Sequence, residues 1–200
     1  MKGIIFCLLE KMIVARGGAE AWERMVRETP LRTAGGAFVR PGLYPDEDLY
    51  ALFATGSVVT GQPVGDLYRA FGRATFVEHA GAYPDSLPPG ITAKRFLMSV
   101  DRIMRMEVHK LQPGANLPYF EYEDPAPDRL VMIYSSPRGL CELVAGLIEG
   151  AADHLGEPIT QVQTLCRHAG DPHCRFELSF TARTDAPESG PHIGEGPSVL

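Results

Sequence analysis

The sequence predicts an α+β fold: an N-terminal helical subdomain followed by a β-β-α-β-β antiparallel-sheet subdomain. Three observations predict it. Apolar residues in the first half recur at helical spacing. The second half changes character, with β-rich runs on both sides of one more helical segment. The chain has 200 residues, 44% of them apolar and 22% charged, enough to bury a core without disulfides or metals. Helices first and strands later is the order of a segregated α+β domain.

The elements follow in order. Ile4, Ile5, Leu8, Leu9, Met12 and Ile13 make one wide apolar face, so residues 4–14 form a helix that Gly17-Gly18 ends. The apolar start superficially resembles a signal peptide, but Glu10 and Lys11 interrupt it and no small-residue cleavage site follows closely. Ala19 to Glu28 is a second helix, stopped before Pro30. Residues 33–43 are Gly-rich and irregular. Pro45-Asp46-Glu47-Asp48 opens a third helix, with acids in its first turn and Leu49, Leu52 and Phe53 as its apolar face. Pro63 to Ala80 is a fourth, with Leu67, Phe71 and Phe76 inward. Three prolines make Tyr83–Gly90 a loop. Ile91 to Gln112 is a long helix ending at Pro113-Gly114.

A turn at Asp124–Asp128 then leads into the β-rich run Arg129–Ser135. Pro137 to His154 is helical. Strands near Ile159–Cys166 and Cys174–Phe180 are joined by a turn around Gly170-Asp171-Pro172. Residues 183–200 lack core-forming side chains and predict a disordered tail. The domain therefore spans residues 1–182. A net charge of −6 argues against a phosphate-neutralising role. No basic run marks a membrane surface, and no apolar stretch reaches the length of a span. A cytoplasmic protein is expected, with neither nucleic acid nor membrane as partner.

Three constellations carry chemistry. The string Cys166-Arg167-His168-Ala169-Gly170-Asp171-Pro172-His173-Cys174, with Cys141, offers thiols and imidazoles around one turn. Zinc takes four such ligands in a tetrahedron, and intracellular thiols point to metal or redox chemistry before structural disulfides. The alternative is plain buried cysteines with turn histidines, since the Cys166–Cys174 interval is not a standard zinc-finger spacing. The second is Tyr134-Ser135-Ser136-Pro137-Arg138, where a phenol, a hydroxyl and a guanidinium converge at a strand-to-helix turn. They form a carboxylate or phosphate clamp, or Ser136 merely caps the next helix. The third is the long helix, with Met98, Met104, Met106 and His109. A methionine-rich face either lines a pocket for a large planar ligand or is ordinary core. Cys7 reads as an inert buried thiol, and His79, His154 and His192 have no partner nameable from sequence. No phosphate loop, dinucleotide fingerprint, catalytic triad or paired carboxylate is present, so the chain is not expected to be an enzyme.

Taken together, these segments resemble the haem nitric-oxide/oxygen binding (H-NOX) family of sensors. The resemblance is carried by Met1-Lys2-Gly3-Ile4-Ile5-Phe6, Arg69-Ala70-Phe71-Gly72, the helix 96–112, Asn116-Leu117-Pro118, Tyr134-x-Ser136-x-Arg138 and Gly146-Leu147-Ile148-Glu149-Gly150. It covers roughly residues 1–180. It implies a helical distal part over 1–62 and a mixed proximal part over 63–182. It implies that Tyr134, Ser136 and Arg138 hold haem propionates, that Ile5 lies against the distal face of the ring, and that Pro118 packs on the ring and distorts it. The family's iron ligand is a histidine on the long helix, in Asp-x-x-His. Here the stretch reads Arg102-Ile103-Met104-Arg105. Counting back from Pro118 places Arg105 at the ligand position, and counting forward from Phe96 places Met104 there. Arginine stays protonated and is no ordinary iron ligand. His109 lies one turn further on, roughly 6 Å along the axis. An arginine at that position is expected to add a buried charge, neutralised by a ligand carboxylate or a nearby acid.

Oxygen-binding members of the family carry a distal tyrosine where this chain has Leu143, so the resemblance implies NO selectivity over O2. It also implies a zinc site at Cys141, Cys166 and Cys174. The family's histidine is replaced by Gln163, leaving His168 or His173 as the fourth ligand. The C-terminal half is similar to the vinyl-reductase-type small-molecule-binding domain as well. The implied function is a stand-alone sensor that binds haem or a related tetrapyrrole and reports to a histidine kinase or cyclic-di-nucleotide enzyme in trans. The alternatives are a haem-free zinc or thiol redox sensor and, less favoured, an enzyme or accessory subunit of tetrapyrrole metabolism.

Overall fold

The computed structural model describes residues 1–82, 87–111 and 117–181, with the side chains of 79, 82 and 106–111 outside that description. The tail at 183–200, the helix end at Gln112–Gly114, Asn116, His192 and most of the Tyr83–Gly90 loop therefore lie wholly or partly outside the described residues, as do the side chains of His79, Met106 and His109.

Among the described residues, six α-helices and four strands follow in the order α1 (Gly3–Gly17), α2 (Ala19–Glu28), α3 (Asp46–Thr60), α4 (Val64–Ala82), α5 (Ala93–Leu111), β1 (Tyr119–Ala126), β2 (Arg129–Ser135), α6 (Cys141–Leu155), β3 (Ile159–Leu165) and β4 (Cys174–Phe180). The sheet is antiparallel throughout, in the order β1-β2-β4-β3. The fold class is the α+β arrangement that the residue pattern predicts.

Two local expectations are corrected. The hairpin turn is Pro127-Asp128 alone, because β1 continues to Ala126 through Pro125. Pro125 lies where the β1–β2 register shifts, and β1 is an edge strand, so the missing amide breaks no inner ladder. Helix α6 begins at Cys141, not at Pro137. Gly139 has φ +62°, a left-handed conformation that no helix can start through. Arg138 therefore sits in a loop ahead of the helix.

There are two buried clusters. Phe6, Leu9, Trp22, Phe38, Leu49, Leu52, Phe53 and Phe71 form the first, among α1 to α4. The second lies between the sheet and α4, α5 and α6, and includes Phe76, Phe96, Leu130, Ile148 and Phe176. Helix α4 serves both, with Leu67, Tyr68 and Phe71 in the first and Phe76 and Ala80 in the second. It crosses α6 at very short range. A Cβ on Gly72 would meet the Leu143 carbonyl oxygen at 2.2 Å, and one on Gly146 would meet the Arg69 carbonyl oxygen at 2.0 Å. Only glycine allows that approach. Arg69 donates to Glu142 at 3.0 Å and to Glu149 at 3.3 Å across the same crossing.

Candidate functional site

The predicted clamp residues sit where β2 ends and the loop to α6 begins. Tyr134 and Ser136 are each 3% exposed. Burial pushes the Tyr134 phenol above its ordinary value, and hydrogen bonds with Ser136 and the Leu140 backbone oppose that. The Arg138 amide donates to Ser136 Oγ at 3.2 Å, so the local hydroxyl turn exists, but a turn of the loop and not a helix cap uses it. The Arg138 guanidinium reaches across to α3. Its Nε donates to Asp46 Oδ2 at 2.7 Å. The Met1 amine faces the other Asp46 oxygen at 2.5 Å and donates to the Tyr44 carbonyl at 2.6 Å. Burial alone would raise the Asp46 carboxyl. Hydrogen bonds from the Met1 amine and Arg138 outweigh burial and hold it below its ordinary value. A carboxylate is thus already gripped at Arg138. Sequence reasoning read Asp46 only as a helix start, and nothing local in the chain signals a partner 92 residues away.

The other residues expected to face a ligand divide. Ile5 on α1 and Leu143 on α6 both pack against the first core and carry no hydrogen-bond donor in their side chains. Pro118 is half-buried, immediately before β1. Met104 packs against the second core, whereas Met98 is exposed, so these two do not share one buried face.

Arg105 corrects the expectation of a buried charge. It is exposed and turned along its own helix. Nε donates to Asp101 Oδ2 at 2.7 Å and Nη2 to Oδ1 at 3.1 Å, and the guanidinium lies 5.4 Å from the Tyr119 ring centroid. An acid one turn earlier neutralises it at the surface, so no ligand carboxylate is called for there. Helix α5 is fastened at its first turn instead. Glu157 Oε2 accepts the Ala93 amide at 2.8 Å, and Lys94 Nζ donates to Asp124 at 2.5 Å and to the Ala126 carbonyl at 2.6 Å.

The three cysteines expected to converge do so. The sulfur atoms of Cys141, Cys166 and Cys174 all lie within 4.8 Å of one another, with Cys141 and Cys166 at 4.0 Å. They come from the start of α6, the residue after β3 and the start of β4. Burial pushes the Cys141 thiol up to about 12 and raises Cys174 as well. The Arg167 amide donates to Cys174 Sγ at 3.5 Å. The two histidines do not join them among the described residues. His168 is exposed and pairs its Nε2 with the Gly139 carbonyl at 2.7 Å, because the short 3-10 turn Arg167–Ala169 swings it toward the clamp loop. His173 lies outside the group of three. Gln163 Nε2 donates to the Leu165 carbonyl at 3.1 Å. A tetrahedral zinc donor set is therefore one ligand short.

Cys7 is half-buried, its thiol 3.6 Å from the Phe38 carbonyl and raised by burial. His154 packs edge-on against Phe76, with ring centroids 5.7 Å apart.

Fold and geometry together define an α+β domain in which Arg138, in the loop between β2 and α6, is paired with Asp46 of α3. Comparison with known proteins gives that class its family. The family model described as Haem-NO-binding matches residues 2–163. The chain belongs to the haem-NO-binding, or H-NOX, family, whose members are haem-based gas sensors. An H-NOX protein from S. oneidensis in the Fe(II)NO ligation state superposes with a TM-score of 0.82 at 27% identity, covering 91% of this chain and all of that one. An H-NOX protein from K. algicida in the Fe(II) unliganded state matches with a TM-score of 0.82 at 23% identity, over 94% of this chain and all of that one. No match is found among curated proteins.

The chain fits haem on one side only. A buried phenol, a buried hydroxyl and an arginine with a carboxylate partner suit the acidic edge of the group. On the helix that would hold iron, the two positions that the spacing offers for the ligand carry Met104 and an outward Arg105.

Proposed function

We propose that this chain is a sensor domain. It binds haem or a related tetrapyrrole by its carboxylates and signals ligand state to a separate partner enzyme. The observation that carries the proposal is the Arg138–Asp46 pair at 2.7 Å, a charge-assisted grip on a carboxylate at the junction of the two cores. A ligand carboxylate takes that place, with Tyr134 and Ser136 as further donors. Ile5, Pro118 and Leu143 supply apolar contact. Haem, when bound, supplies an iron atom that takes a diatomic gas. Leu143 offers that gas no hydrogen bond, which favours NO over O2. Met104 or His109 replaces the family histidine as the nearest candidate ligand. A histidine kinase or a cyclic-di-nucleotide enzyme is the partner class, and this chain performs no catalysis itself. Support for the sensor role is the family match over residues 2–163.

The test is the absorption spectrum of the purified protein after haem addition and reduction, with and without NO. A sharp Soret band that shifts with NO, and that Arg138→Ala weakens, is the expected result. Met104→Ala and His109→Ala then identify the replacement ligand. A spectrum identical to free haem would overturn the haem reading.

A second reading is favoured by the three converging sulfurs. In it the signal enters at Cys141, Cys166 and Cys174, as a bound zinc ion or as thiol oxidation, and the tetrapyrrole is dispensable. Loss of a thiol-bound ion would release the start of α6 from the β3–β4 turn.

A further inference from the structure

The thiol cluster has three sulfurs and, among the described residues, no fourth Cys, His, Asp or Glu ligand, and this sets which ion it suits. The cluster is deep: Cys141 is 2% exposed and Cys174 is fully buried, with Cys166 half-buried. The histidines of the adjacent turn are engaged elsewhere or outside the group. Position 163 holds a glutamine, whose carboxamide nitrogen donates to the Leu165 carbonyl and whose side chain also hydrogen-bonds the Cys141 thiol. Zinc in a closed protein site wants four donors. Here it would lack one. A divalent ion on three thiolates would also leave a net negative charge in a buried place, which is unfavourable without a compensating partner. An ion that takes three thiolates as a trigonal pyramid, carries a lone pair in the fourth direction and has three positive charges meets both conditions. It needs no fourth ligand and leaves the site neutral.

From this we infer that Cys141, Cys166 and Cys174 form a three-thiolate site for trivalent arsenic. The inference rests on the thiol-centred reading and is independent of tetrapyrrole binding. The binding step is a ligand exchange without redox change. Arsenous acid, As(OH)3, reacts with three thiols. Three As–O bonds break and three As–S bonds form. Each thiol proton leaves with a hydroxide as water, so three waters are released and arsenic stays trivalent. The cluster is placed to do this in one step of folding geometry, because the sulfurs already lie within 4.8 Å of one another. Contact from Arg167, whose amide donates to Cys174 Sγ, further orients one of them.

The experiment is a thiol count on the whole reduced chain. The protein is incubated with one equivalent of arsenite, or one of zinc, and reactive thiols are then measured. The chain has four cysteines. The expected result is that arsenite leaves one reactive thiol, Cys7, and that zinc at the same concentration masks the three others at least tenfold more weakly. Cys166→Ser should leave only a two-thiol site and weaken arsenite binding by about a hundredfold or more. Because a cysteine variant can fail to fold, Gln163→His supplies a second arm: it restores a nitrogen donor beside the cluster and should raise zinc affinity at least tenfold while leaving arsenite binding within threefold. Equal masking by zinc and arsenite in the unaltered chain overturns the arsenic inference and leaves the thiol reading standing. Failure of both ions to mask three thiols overturns both. Masking of only two thiols by arsenite also overturns the inference, since any close dithiol would do that.

Discussion

The two sides of the proposed ligand site are held very differently. On the clamp side, Arg138 reaches α3 through Asp46, the loop carries Ser136 and Gly139, and the β3–β4 turn holds that loop through Arg167 and His168. Behind it, α4 and α6 cross with almost no space between their backbones. On the other side, α5 is tied by Glu157 and Lys94 at its first turn and by Asp101, which accepts the Phe120 amide of β1 at 3.4 Å, while Arg105 pairs with Asp101 and lies beside the Tyr119 ring. The family function asks both sides to grip one ligand. In the proposed reading this chain keeps the anion-gripping side and has changed the metal-gripping one, which makes carboxylate recognition and metal ligation separable parts of the fold.

The comparison breaks most strongly at the helix crossing. Gly146→Val puts a branched side chain where even a Cβ would meet the Arg69 carbonyl at 2.0 Å. Overpacking against backbone of this kind costs about 3 kcal/mol. A drop in Tm and loss of the cooperative transition are expected in a thermal melt. Survival of a normal melt would show that the clamp side is not held by this crossing.

Arg138→Ala comes next. It removes the charge partner of a partly buried carboxylate, a loss of roughly 2 kcal/mol for a charge-assisted hydrogen bond. Urea denaturation measures it. Asp46→Asn in the same background should then cost less than it does alone, because only the Met1 amine's grip on that carboxylate is left to lose.

The same pair predicts a pH dependence. Asp46 is held below its ordinary value of 3.8, so its contribution is complete above that value and is lost as pH falls through the lower folded value. Urea midpoints should fall between about pH 5 and about pH 2 more steeply in the unaltered chain than in Asp46→Asn. Identical slopes would place the acid sensitivity elsewhere.

Arg105→His has the smallest effect on stability and sharpens the comparison most. Arg105 is exposed, so Tm should hardly move. If α5 has lost only its ligand, the histidine variant should give a sharper haem spectrum than the parent. If the helix has also turned away, the spectrum will not change.

Much of the architecture was legible because it is local. Helical spacing at Ile4 to Ile13, acids ahead of Leu49, and β-rich runs at Arg129–Ser135 and Cys174–Phe180 each declare an element within a short window. Phe6, at the centre of the first core, stands outside the face drawn from the apolar spacing, because α1 is contacted on more than one side. The α6 start was misplaced because the left-handed Gly139 follows a proline that reads as a helix opener. The cysteine cluster was half legible. Cys166 and Cys174 flank one turn, and Cys141 joins them only through the packing of α6 on the sheet. The fourth ligand was not legible, since the 3-10 turn Arg167–Ala169 sends His168 to the Gly139 carbonyl. Asp46 could not be found from its neighbours at all.

Helix α4 contributes Leu67, Tyr68 and Phe71 to one core and Phe76 to the other. Neither core can be completed without it. The helical part ending before α4 would leave Phe53 without Tyr68, which it stacks on at 3.9 Å between centroids, and without Phe71. Opening either core exposes part of a helix on which the other depends. The two halves therefore unfold as one cooperative unit, and amide exchange in the α4 backbone should report the global opening free energy while termini and loops exchange faster.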